Sequence, residues 1–361
     1  MQETAISLAN GHFKTVFAKT SHGLVRGPSR YRLVGVVDPS CDEDDAGVAL
    51  DGRPRGIPLF DSVPDALARL PERPTHCLVG VATVGGVLPP DLYADLKRAA
   101  AAGMTLVNGL HHLLSDDPEL MRLTQENGGG IIDIRKPKPA SALRFWSGEI
   151  LTMKTPRIAV MGMDCAIGKR TTCMMLREAC RADGLRAEMI YTGQTGWLQG
   201  LRHGLIFDAT LNDFVSGELE GAILDCQRET NPDLILMEGQ SALRNPSGPA
   251  GSEFILSGAA HGVILQHAPA RPYFEDFEEF GCAIPPVEEE VELIRLLGAD
   301  VWAVTLFTKG LTPEETRAAR DQLADFLNLP VVLPLEDGVG ELVDVVRDHI
   351  AVIRVPFELK K

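Results

Sequence analysis

"RIAVMGMDCAIGKRTT" (157–172) joins an apolar, strand-like run to a helix start through a glycine-rich turn. The run "RIAVM" leads into Gly162, and Gly168 and Lys169 open a segment of helical composition. Strand, glycines, lysine and threonine in this order are typical of a P-loop, whose free backbone N–H groups bind phosphate oxygens. The sequence therefore predicts a phosphate-bearing ligand at residues 162–172.

This loop departs from the standard pattern G-x-x-x-x-G-K-[ST] in two places. Five residues rather than four separate its glycines, and Arg170 stands where a magnesium-binding hydroxyl is expected. Moving the hydroxyl on to Thr171 rotates it by about 100° around the helix axis, while Arg170 adds a second cation beside Lys169. We therefore expect the loop to bind the phosphate groups of a ligand such as coenzyme A, whose phosphates serve for binding and are not transferred. Thr171 or Thr172 in a shifted register leaves magnesium-dependent phosphoryl transfer open.

Apolar runs and helical segments alternate along the chain, which predicts an α/β protein with mostly parallel sheets. The predicted strands are at 32–39, 76–83, 105–110, 157–163, 187–193, 233–239, 262–268, 300–308 and 330–334. The predicted helices are at 62–70, 89–104, 116–127, 169–183, 212–230, 286–298, 313–327 and 338–350. A polar stretch without a clear period separates two groups of elements. We therefore expect an N-terminal domain at 1–135, a linker at 136–156 and a C-terminal domain at 157–361.

The composition is that of a globular protein, and no stretch has the ~20 uncharged apolar residues that a membrane helix needs. The net charge of −15 argues against nucleic acid or an anionic membrane as a partner, so we expect small-molecule ligands. The start of the chain lacks a secretion-signal pattern, and the seven cysteines show no C-x-x-C, so we expect a cytoplasmic protein with reduced thiols.

The acidic stretch "FEDFEEF" (274–280) is predicted to be a solvated surface segment.

Two of these motifs resemble those of dethiobiotin synthetase. The longer loop, with Asp164 after its second position, is similar to the "G-T-D-T-x-x-G-K-T" loop of that enzyme. The stretch "LMEGQSAL" (236–243) stands where that enzyme has "V-E-G-A-G-G" at a strand end. This resemblance implies an alternative function, that of an ATP- and Mg²⁺-dependent ligase or kinase.

A second resemblance covers nearly the whole chain. Its motifs are "HGLVR" (22–26), "GLH" (109–111), "GMDCAIGKRTT" (162–172), "GQTGW" (193–197), "DFVSG" (213–217) and "EGQ" (238–240). The chain resembles the D-glutamate N-acetyltransferase family, formerly a domain of unknown function and also labelled an NAD-dependent epimerase. The resemblance implies a Rossmann-like N-terminal domain and a P-loop NTPase-like C-terminal domain. It also implies that acetyl-CoA and D-glutamate are the substrates, with N-acetyl-D-glutamate made in D-amino-acid catabolism.

The chain departs from the family pattern after "EGQ". Where many members have "G-S-L-x-H-P", this sequence has "SALRNP" (241–246). Arg244 and Asn245 therefore replace a Leu-x-His neighbourhood. If this segment contacts the amino-acid substrate, specificity differs from that of those members.

The cofactor-binding residues follow from the loop. We expect Lys169, Arg170 and the loop amides to hold the phosphates of coenzyme A. The full cofactor-binding set is Gly162, Asp164, Cys165, Ala166, Gly168, Lys169, Arg170, Thr171 and Thr172. The Asp164 carboxylate would repel phosphate, so it is expected to bind either loop amides or a substrate ammonium. No metal site is expected; Mg²⁺ with ATP belongs only to the ligase alternative.

Glu238, at the end of a predicted buried strand, is the first candidate for the general base, because burial would raise its pKa. The alternative is an ion pair between Glu238 and the loop cations. Asp213 and His267 are further base candidates, and Lys169 completes the catalytic set of Glu238, Asp213 and Lys169. An acetyl-cysteine at Cys165 is a disfavoured route, since amine acetylation needs no covalent intermediate.

Substrate recognition is expected from short polar residues and arginines. Gln194, Thr195 and Gly196 are expected to line the pocket beside the P-loop. Arg202 and Arg244 are expected to bind the substrate carboxylates, with Arg271 as a further candidate. The N-terminal domain has no G-x-G-x-x-G after a strand, so NAD binding lacks support, whereas the residues after its strands at 85–86 and 108–112 could form a pocket.

Three functions are therefore weighed. The resemblance to the acetyltransferase family favours acetyl transfer, and we expect the enzyme to be a homo-oligomer. The ligase or kinase predicts Mg²⁺-dependent nucleotide turnover, and a non-enzymatic nucleotide-binding sensor predicts binding without turnover. Arg170 argues against the second, and the polar residues at several strand ends argue against the third.

Overall fold

The computed structural model describes residues 3–354 of the chain. The chain folds as two compact units. The N-terminal unit comprises Met1–Lys138 and Gly193–Arg202, and the C-terminal unit comprises Pro139–Thr192 and His203–Lys361. The predicted domain ranges also include residues 1–2 and 355–361, which lie outside the described residues.

Strands and helices alternate from one end of the described chain to the other. The strands are β1 (Thr4–Leu8), β2 (Arg32–Val37), β3 (Leu59–Phe60), β4 (His76–Val79), β5 (Thr105–Asn108), β6 (Ile131–Asp133), β7 (Arg157–Gly162), β8 (Ala187–Ile190), β9 (Leu234–Glu238), β10 (Gly262–His267), β11 (Asp300–Leu306) and β12 (Val331–Val332). The helices are α1 (Lys19–Arg26), α2 (Ala46–Asp51), α3 (Val63–Arg69), α4 (Pro90–Ala101), α5 (Pro118–Glu126), α6 (Lys169–Ala182), α7 (Gln194–Leu198), α8 (Asn212–Thr230), α9 (Ser252–Leu256), α10 (Val287–Leu296), α11 (Pro313–Leu327) and α12 (Gly340–Arg354). Short 3-10 helices lie at Val16–Ala18, Val84–Gly86, Leu114–Asp116, Ala140–Ala142, Glu149–Thr152, Phe207–Ala209 and Glu278–Phe280.

The N-terminal unit is built on a parallel sheet. Within residues 3–354 this sheet has six strands in the order β3-β2-β1-β4-β5-β6. The order reverses at β1, the arrangement of a Rossmann-like fold. Sequence patterning did not predict β1, because "TAISL" mixes hydroxyl and apolar residues in only five positions. It also missed β6, which has only three residues.

The C-terminal unit is built on a second parallel sheet. Among the described residues its six strands have the order β12-β11-β10-β7-β9-β8. All six residues of β7 are buried, which explains why the apolar run at 157–162 predicted a strand so clearly. The carboxyl end of β7 leads directly into the glycine-rich loop, and α6 follows it. The predicted α/β class with parallel sheets is therefore confirmed.

The segment after Pro139, where the sequence indicated a linker, packs against α8. Glu220 accepts hydrogen bonds from the backbone N–H groups of Ser147 and Ile150, and Glu218 accepts one from Arg144. Gly217 on α8 allows this approach, because a Cβ there would overlap the backbone carbonyl of Arg144. The glycine of "DFVSG" thus has a packing role.

The segment Gly193–Arg202, which contains the "GQTGW" motif, belongs to the N-terminal unit. The Arg30 guanidinium lies over the Trp197 ring, 4.1 Å from its centroid, and the Arg30 N–H donates to the carbonyl of Leu198 at 2.7 Å. Leu198 is 1% exposed and packs in a core cluster with Leu24, Tyr31, Leu78 and Val107. This segment therefore completes the hydrophobic core of the N-terminal unit.

None of the helices in residues 3–354 combines the length and the apolar composition that crossing a bilayer requires.

Candidate active site

Two glycines give the loop between β7 and α6 its form. A Cβ at Gly162 would lie 2.9 Å from Cδ of Lys169, so the absent side chain leaves room for the lysine stem. Gly168 has φ +98°, a conformation that favours glycine, and α6 begins at the next residue. The amino-terminal end of this 14-residue helix follows the loop directly, and helix amino termini are a common site of anion binding. This is the geometry that the sequence motif predicted.

Lys169 lies across its own loop. The residue is 8% exposed, and its Nζ donates to the backbone carbonyls of Asp164 and, at 2.8 Å, Ser241. These contacts place a buried ammonium beside the loop, where a phosphate group would also be bound. The cofactor-binding role that the motif predicts for Lys169 stays a prediction.

The carboxylate of Asp164 is fully buried and fully hydrogen-bonded. Its Oδ1 accepts from the N–H of Cys165 at 2.7 Å and from Asn245 at 3.3 Å. Its Oδ2 accepts from Arg271 at 2.7 Å and from the N–H of Glu275 at 2.9 Å. The Asp164 carboxylate thus binds a loop amide, one of the two arrangements considered, and Arg271 is one of its partners; the roles of both residues in ligand binding stay predictions.

These contacts revise the prediction for the acidic stretch 274–280. Phe274 is 3% exposed, and the N–H of Glu275 binds the P-loop through Asp164. The prediction of a solvated segment was wrong for these two residues, because the apolar ring and the Asp164 carboxylate hold them against the protein. It is confirmed for the exposed positions Asp276, Glu278, Glu279 and Phe280.

The hydroxyl of Thr172 points into the core. Thr172 is 2% exposed and donates to Oε1 of Gln266 at 2.7 Å, and Thr305 donates to the same oxygen at 2.8 Å. The Thr172 hydroxyl is therefore engaged in the core, whereas Thr171 is half-buried; the cofactor-binding role of both stays a prediction. Within residues 3–354, no group of three His, Cys, Asp or Glu side chains is arranged to hold a metal ion.

Glu238 ends β9 and is 4% exposed. Its Oε2 accepts the N–H of Thr192 at 3.1 Å, and the Thr192 hydroxyl donates to the Glu238 backbone carbonyl at 2.8 Å. Among the described residues, no other hydrogen bond reaches the carboxylate. Burial raises the pKa of Glu238, against the opposing effects of Arg170, the Thr192 N–H and Lys169. The pKa direction expected for a strand-end base is thus confirmed.

The loop after β9 lies against the P-loop. A Cβ at Gly239 would overlap the backbone of Val160, so this position requires glycine for close approach. The Cys165 thiol donates to the Ser241 hydroxyl at 3.6 Å, and Asn245 is 1% exposed. Among the described residues, the Cys165 thiol therefore has hydrogen bonds with the Ser241 hydroxyl and, at 4.0 Å, with the Asn245 amide, and neither group is a base for a thiol.

The other predicted base candidates have different surroundings. Asp213 is exposed in the first turn of α8. Burial lowers the pKa of His267 to about 4, and its Nδ1 lies 3.0 Å from the sulfur of Met163. The imidazole is therefore neutral at physiological pH and packed against a thioether, whereas Glu238 combines burial with neighbouring cations.

The predicted substrate-binding residues fall in both units. Gln194, Thr195 and Gly196 are buried in the N-terminal unit, where the Thr195 hydroxyl bonds that of Thr20 at 3.3 Å. Arg202 is exposed at the end of the same segment. Arg244 belongs to the C-terminal unit and binds glutamates of α10. Their roles in binding substrate stay predictions.

Sequence reasoning missed two residues that organise the site, Thr192 and Gln266, and it noted a third, Asn245, only as a departure from the family pattern. Thr192 and Gln266 lie at the carboxyl ends of strands next to β9 and β7, the position where functional groups collect in parallel sheets. Their position at strand ends could have identified Thr192 and Gln266 as candidate site residues. Asn245 lies in an irregular loop, and no local pattern indicates its partners.

Two six-stranded parallel sheets, one with a P-loop at its centre, define a two-domain protein with a Rossmann-like and a P-loop domain. The chain belongs to the DUF1611 family, a domain of unknown function. Its P-loop domain matches residues 144–343, and its N-terminal Rossmann-like domain matches residues 39–137.

Relatives in this family include named enzymes. A D-glutamate N-acetyltransferase of Pseudoalteromonas sp is 30% identical over 273 residues, covering 74% of this chain and 79% of that protein. A second D-glutamate N-acetyltransferase, of Tritonibacter scottomollicae, is 28% identical over 274 residues, with the same coverage of 74% and 79%. The crystal structure of a DUF1611 family protein from Anabaena variabilis has a TM-score of 0.86 and 30% identity, covering 96% of this chain and 100% of that one. These similarities confirm the family that the sequence motifs indicated.

Proposed function

We propose that this protein transfers the acetyl group of acetyl-CoA to the amine of D-glutamate, giving N-acetyl-D-glutamate. The names of the two relatives support the reaction, and the P-loop supports a phosphate-bearing donor. The observation that carries the proposal is Glu238, a buried carboxylate of raised pKa with one oxygen that accepts no hydrogen bond from the described residues. The finer expectations, a cytoplasmic homo-oligomer acting in D-amino-acid catabolism, belong to this proposal.

The loop residues fit coenzyme A as a phosphate-bearing co-substrate. The glycines at 162 and 168 let the backbone approach a phosphate, and Lys169 and Arg170 supply positive charge in a protein of net charge −15. The donor supplies a thioester as the activated acetyl group. In this proposal the loop N–H groups and both cations bind its phosphates and leave the thioester free.

Glu238 acts as the general base in this reaction. Its carboxylate takes a proton from the substrate ammonium, and the resulting amine attacks the thioester carbonyl carbon. As the C–S bond of the tetrahedral intermediate breaks, Glu238 gives the proton it holds to the sulfur, and coenzyme A leaves as a thiol. The Glu238 carboxylate then takes the second proton from the nitrogen and releases it to solvent, which leaves the neutral amide. Thr192 positions the base by donating its N–H to Oε2, which leaves Oε1 to accept the proton.

Mg²⁺ has no part in this mechanism. The Thr172 hydroxyl is bound to Gln266 in the core, and Arg170 occupies the position where the motif carries the metal-binding hydroxyl. This arrangement supports acetyl transfer over the ATP-dependent ligase or kinase. The same arrangement would suit a non-enzymatic nucleotide sensor. Measuring turnover distinguishes the two functions, because a sensor would bind its ligand without converting it.

The test is chromatographic measurement of coenzyme A and N-acetylglutamate from acetyl-CoA with D-glutamate, L-glutamate or no amino acid, in EDTA without ATP. A protein-only blank is needed because the chain has seven cysteines. We expect equimolar products with D-glutamate alone. Turnover of ATP with Mg²⁺ and no release of coenzyme A would instead establish the ligase or kinase.

The matched variants are E238Q and E314Q. E238Q removes the proposed base, and we expect it to lower kcat by about 10²- to 10⁴-fold with little change in coenzyme A affinity. E314Q makes the same change at a glutamate whose side chain is 77% exposed on α11, and we expect wild-type activity. Equal activity of both variants would contradict the role of Glu238, and binding without turnover in all three proteins would indicate a sensor.

A further inference from the structure

Four hydrogen bonds join the loop at residues 241–250 to the P-loop, one of them from the Asn245 amide to the Cys165 sulfur at 4.0 Å. The Ser241 carbonyl accepts from Lys169 at 2.8 Å, and the Ser241 hydroxyl accepts from Cys165 at 3.6 Å. Asn245 donates to Oδ1 of Asp164 at 3.3 Å. Ser241 has φ +39°, a conformation that costs energy for a residue with a side chain and must be imposed by its surroundings. The 241–250 loop therefore stabilises the P-loop, and other contacts must in turn stabilise the conformation of the 241–250 loop.

Part of that support lies within the loop. The N–H of Ala250 donates to the carbonyl of Ala242 at 3.1 Å, which closes the loop at its base. Oδ1 of Asn245 accepts from the N–H of Ser247 at 3.0 Å and from its hydroxyl at 2.9 Å. These bonds orient the Asn245 amide so that its NH₂ group faces Asp164.

The rest of the support comes from α10 through Arg244. Nε of Arg244 lies 2.8 Å from Oε2 of Glu290, and Nη1 lies 2.6 Å from Oε2 of Glu289. The Glu290 side chain is only 3% exposed, so this carboxylate is held away from water, whereas the Arg244 and Glu289 side chains are 27% and 56% exposed. The helix is a firm anchor, because its residues Val287 and Ile294 are buried in the core of the C-terminal unit.

The side chains of Arg244 and Asn245, which are adjacent in sequence, therefore contact different parts of the unit. Arg244 binds α10, and Asn245 binds the P-loop. We propose that Arg244 is a positioning residue: its ion pairs with Glu289 and Glu290 hold the 241–250 loop against the P-loop and so set the affinity for the phosphate-bearing ligand. This differs from the direct role in carboxylate binding that the sequence predicted for Arg244. That the ligand is coenzyme A rests on the proposed function, whereas the positioning does not.

The pair can be tested from either end. R244M removes the cation and E290Q removes the buried charge, and both variants leave the P-loop sequence intact. Since the two residues act as one unit, the double variant should be no worse than R244M alone. R228M is the matched control, because Arg228 pairs with Glu149 in the same unit with both side chains more than half exposed.

Two measurements on the full-length protein decide the outcome. The first is the dissociation constant for coenzyme A by calorimetry, which we expect to rise about tenfold in R244M and to rise also in E290Q. The second is hydrogen exchange of the backbone amides at 164–171 without ligand, which we expect to be faster in both variants. R228M should match the wild type in both measurements.

The contrary outcomes are distinct. A rise in KM for D-glutamate alone in R244M, with E290Q like the wild type, would make Arg244 a substrate ligand and overturn the proposal. Unchanged exchange at 164–171 in both variants would also overturn it. If wild-type protein does not bind coenzyme A, the proposed function fails, but the exchange data still decide the positioning. If R244M does not fold, E290Q alone gives the result.

Discussion

A carboxylate held out of water at neutral pH lowers the stability of the protein that holds it. Burial raises the pKa of Glu238, and the charges of Arg170 and Lys169 only partly offset this effect. The folded protein therefore binds a proton at Glu238 more tightly than the unfolded chain does. The stability from this proton is present at low pH and is lost as the pH rises through the raised pKa.

From this sign we expect E238Q to melt at a higher temperature than the wild type above neutral pH. The difference should disappear near about pH 4, where glutamate in the unfolded chain is also protonated. Calorimetric melting temperatures across the pH range, with E314Q as control, measure the effect. A lower melting temperature for E238Q at high pH would show that the carboxylate stabilises the fold.

The same pKa determines the pH dependence of the proposed reaction. A base must be ionised to accept a proton, so kcat/KM should fall on the acid side with an apparent pKa above the usual glutamate value. This acid limb should be absent from the residual activity of E238Q. The pH profiles of both proteins give the comparison, and an identical acid limb in the two would assign it to another group.

Asp164 gives a contrasting prediction at the same scale. All four of its hydrogen bonds come from donors, so the NH₂ group of an asparagine would meet no acceptor, and Arg271 would lose a buried counter-charge. Arg271 keeps its ion pair with Glu275, so we expect D164N to destabilise the protein by about 1–3 kcal/mol, the cost of unsatisfied buried polar groups. D321N, which alters an exposed pair with Arg320, should change stability by less than about 0.5 kcal/mol. Urea unfolding of both variants gives the measurement, and equal midpoints would contradict the structural role of Asp164.

The site was only partly predictable from single residues. The loop lysine and the raised pKa of Glu238 follow from local pattern and from position at a strand end. The partners of Asp164 and Thr172 do not, because Arg271 and Gln266 lie 107 and 94 positions away along the chain. No local motif records which side chain will complete such a hydrogen bond.

At the scale of elements, α8 organises the segment that precedes β7. Glu218 and Glu220 bind the backbone of this segment, and Gly217 gives it room. Gly217, Glu218 and Glu220 lie within four positions of one another on α8, so the segment that precedes β7 runs along the surface of this helix. A glycine in the middle of a 19-residue helix is unfavourable by about 1 kcal/mol relative to alanine, which the packing offsets.

We therefore expect G217A to destabilise the protein despite its better helix propensity, because the added methyl group overlaps the backbone of Arg144. G340A is the matched control, since a Cβ at Gly340 in α12 would meet nothing within 4 Å. Thermal melts of the two variants give the comparison. Stabilisation by G217A would mean that the segment after Pro139 moves aside at no cost.

Most elements could be predicted because their apolar runs are long and buried on both faces of a sheet. The predicted strand at 157–163 and the observed β7 differ by one residue. Strand β1 could not be predicted, because its buried Ser7 is satisfied by Ser21 on α1, and it is pairing with β2 and β4 that makes the segment a strand.

At the scale of the whole molecule, the N-terminal unit is discontinuous. Its core includes Leu198, which the chain supplies after it has already formed β7, α6 and β8 of the C-terminal unit. The "GQTGW" motif was expected to line a pocket from local composition alone. Its place in the N-terminal unit could not be predicted, because no sequence pattern shows that a chain returns to an earlier domain.

We expect a fragment of residues 1–138 to lack a cooperative thermal transition. Joining residues 193–202 to it through a flexible linker should restore one, because Leu198 fills the core. The matched control carries the same addition with L198S, which should remove about 2–5 kcal/mol of that gain. Circular dichroism melts compare the three proteins. A cooperative melt of the bare fragment would show that the inserted segment is dispensable.

The segment Gly193–Arg202 also determines when the N-terminal unit can complete its folding during synthesis. When the ribosome has made Lys138, the N-terminal unit still lacks Gly193–Arg202. At about 5 to 20 residues per second, residues 139–202 take roughly 3 to 13 seconds more to appear. The nascent chain therefore carries an unfinished apolar core through the translation of about a quarter of the C-terminal unit, and during this interval we expect chaperones to bind it most.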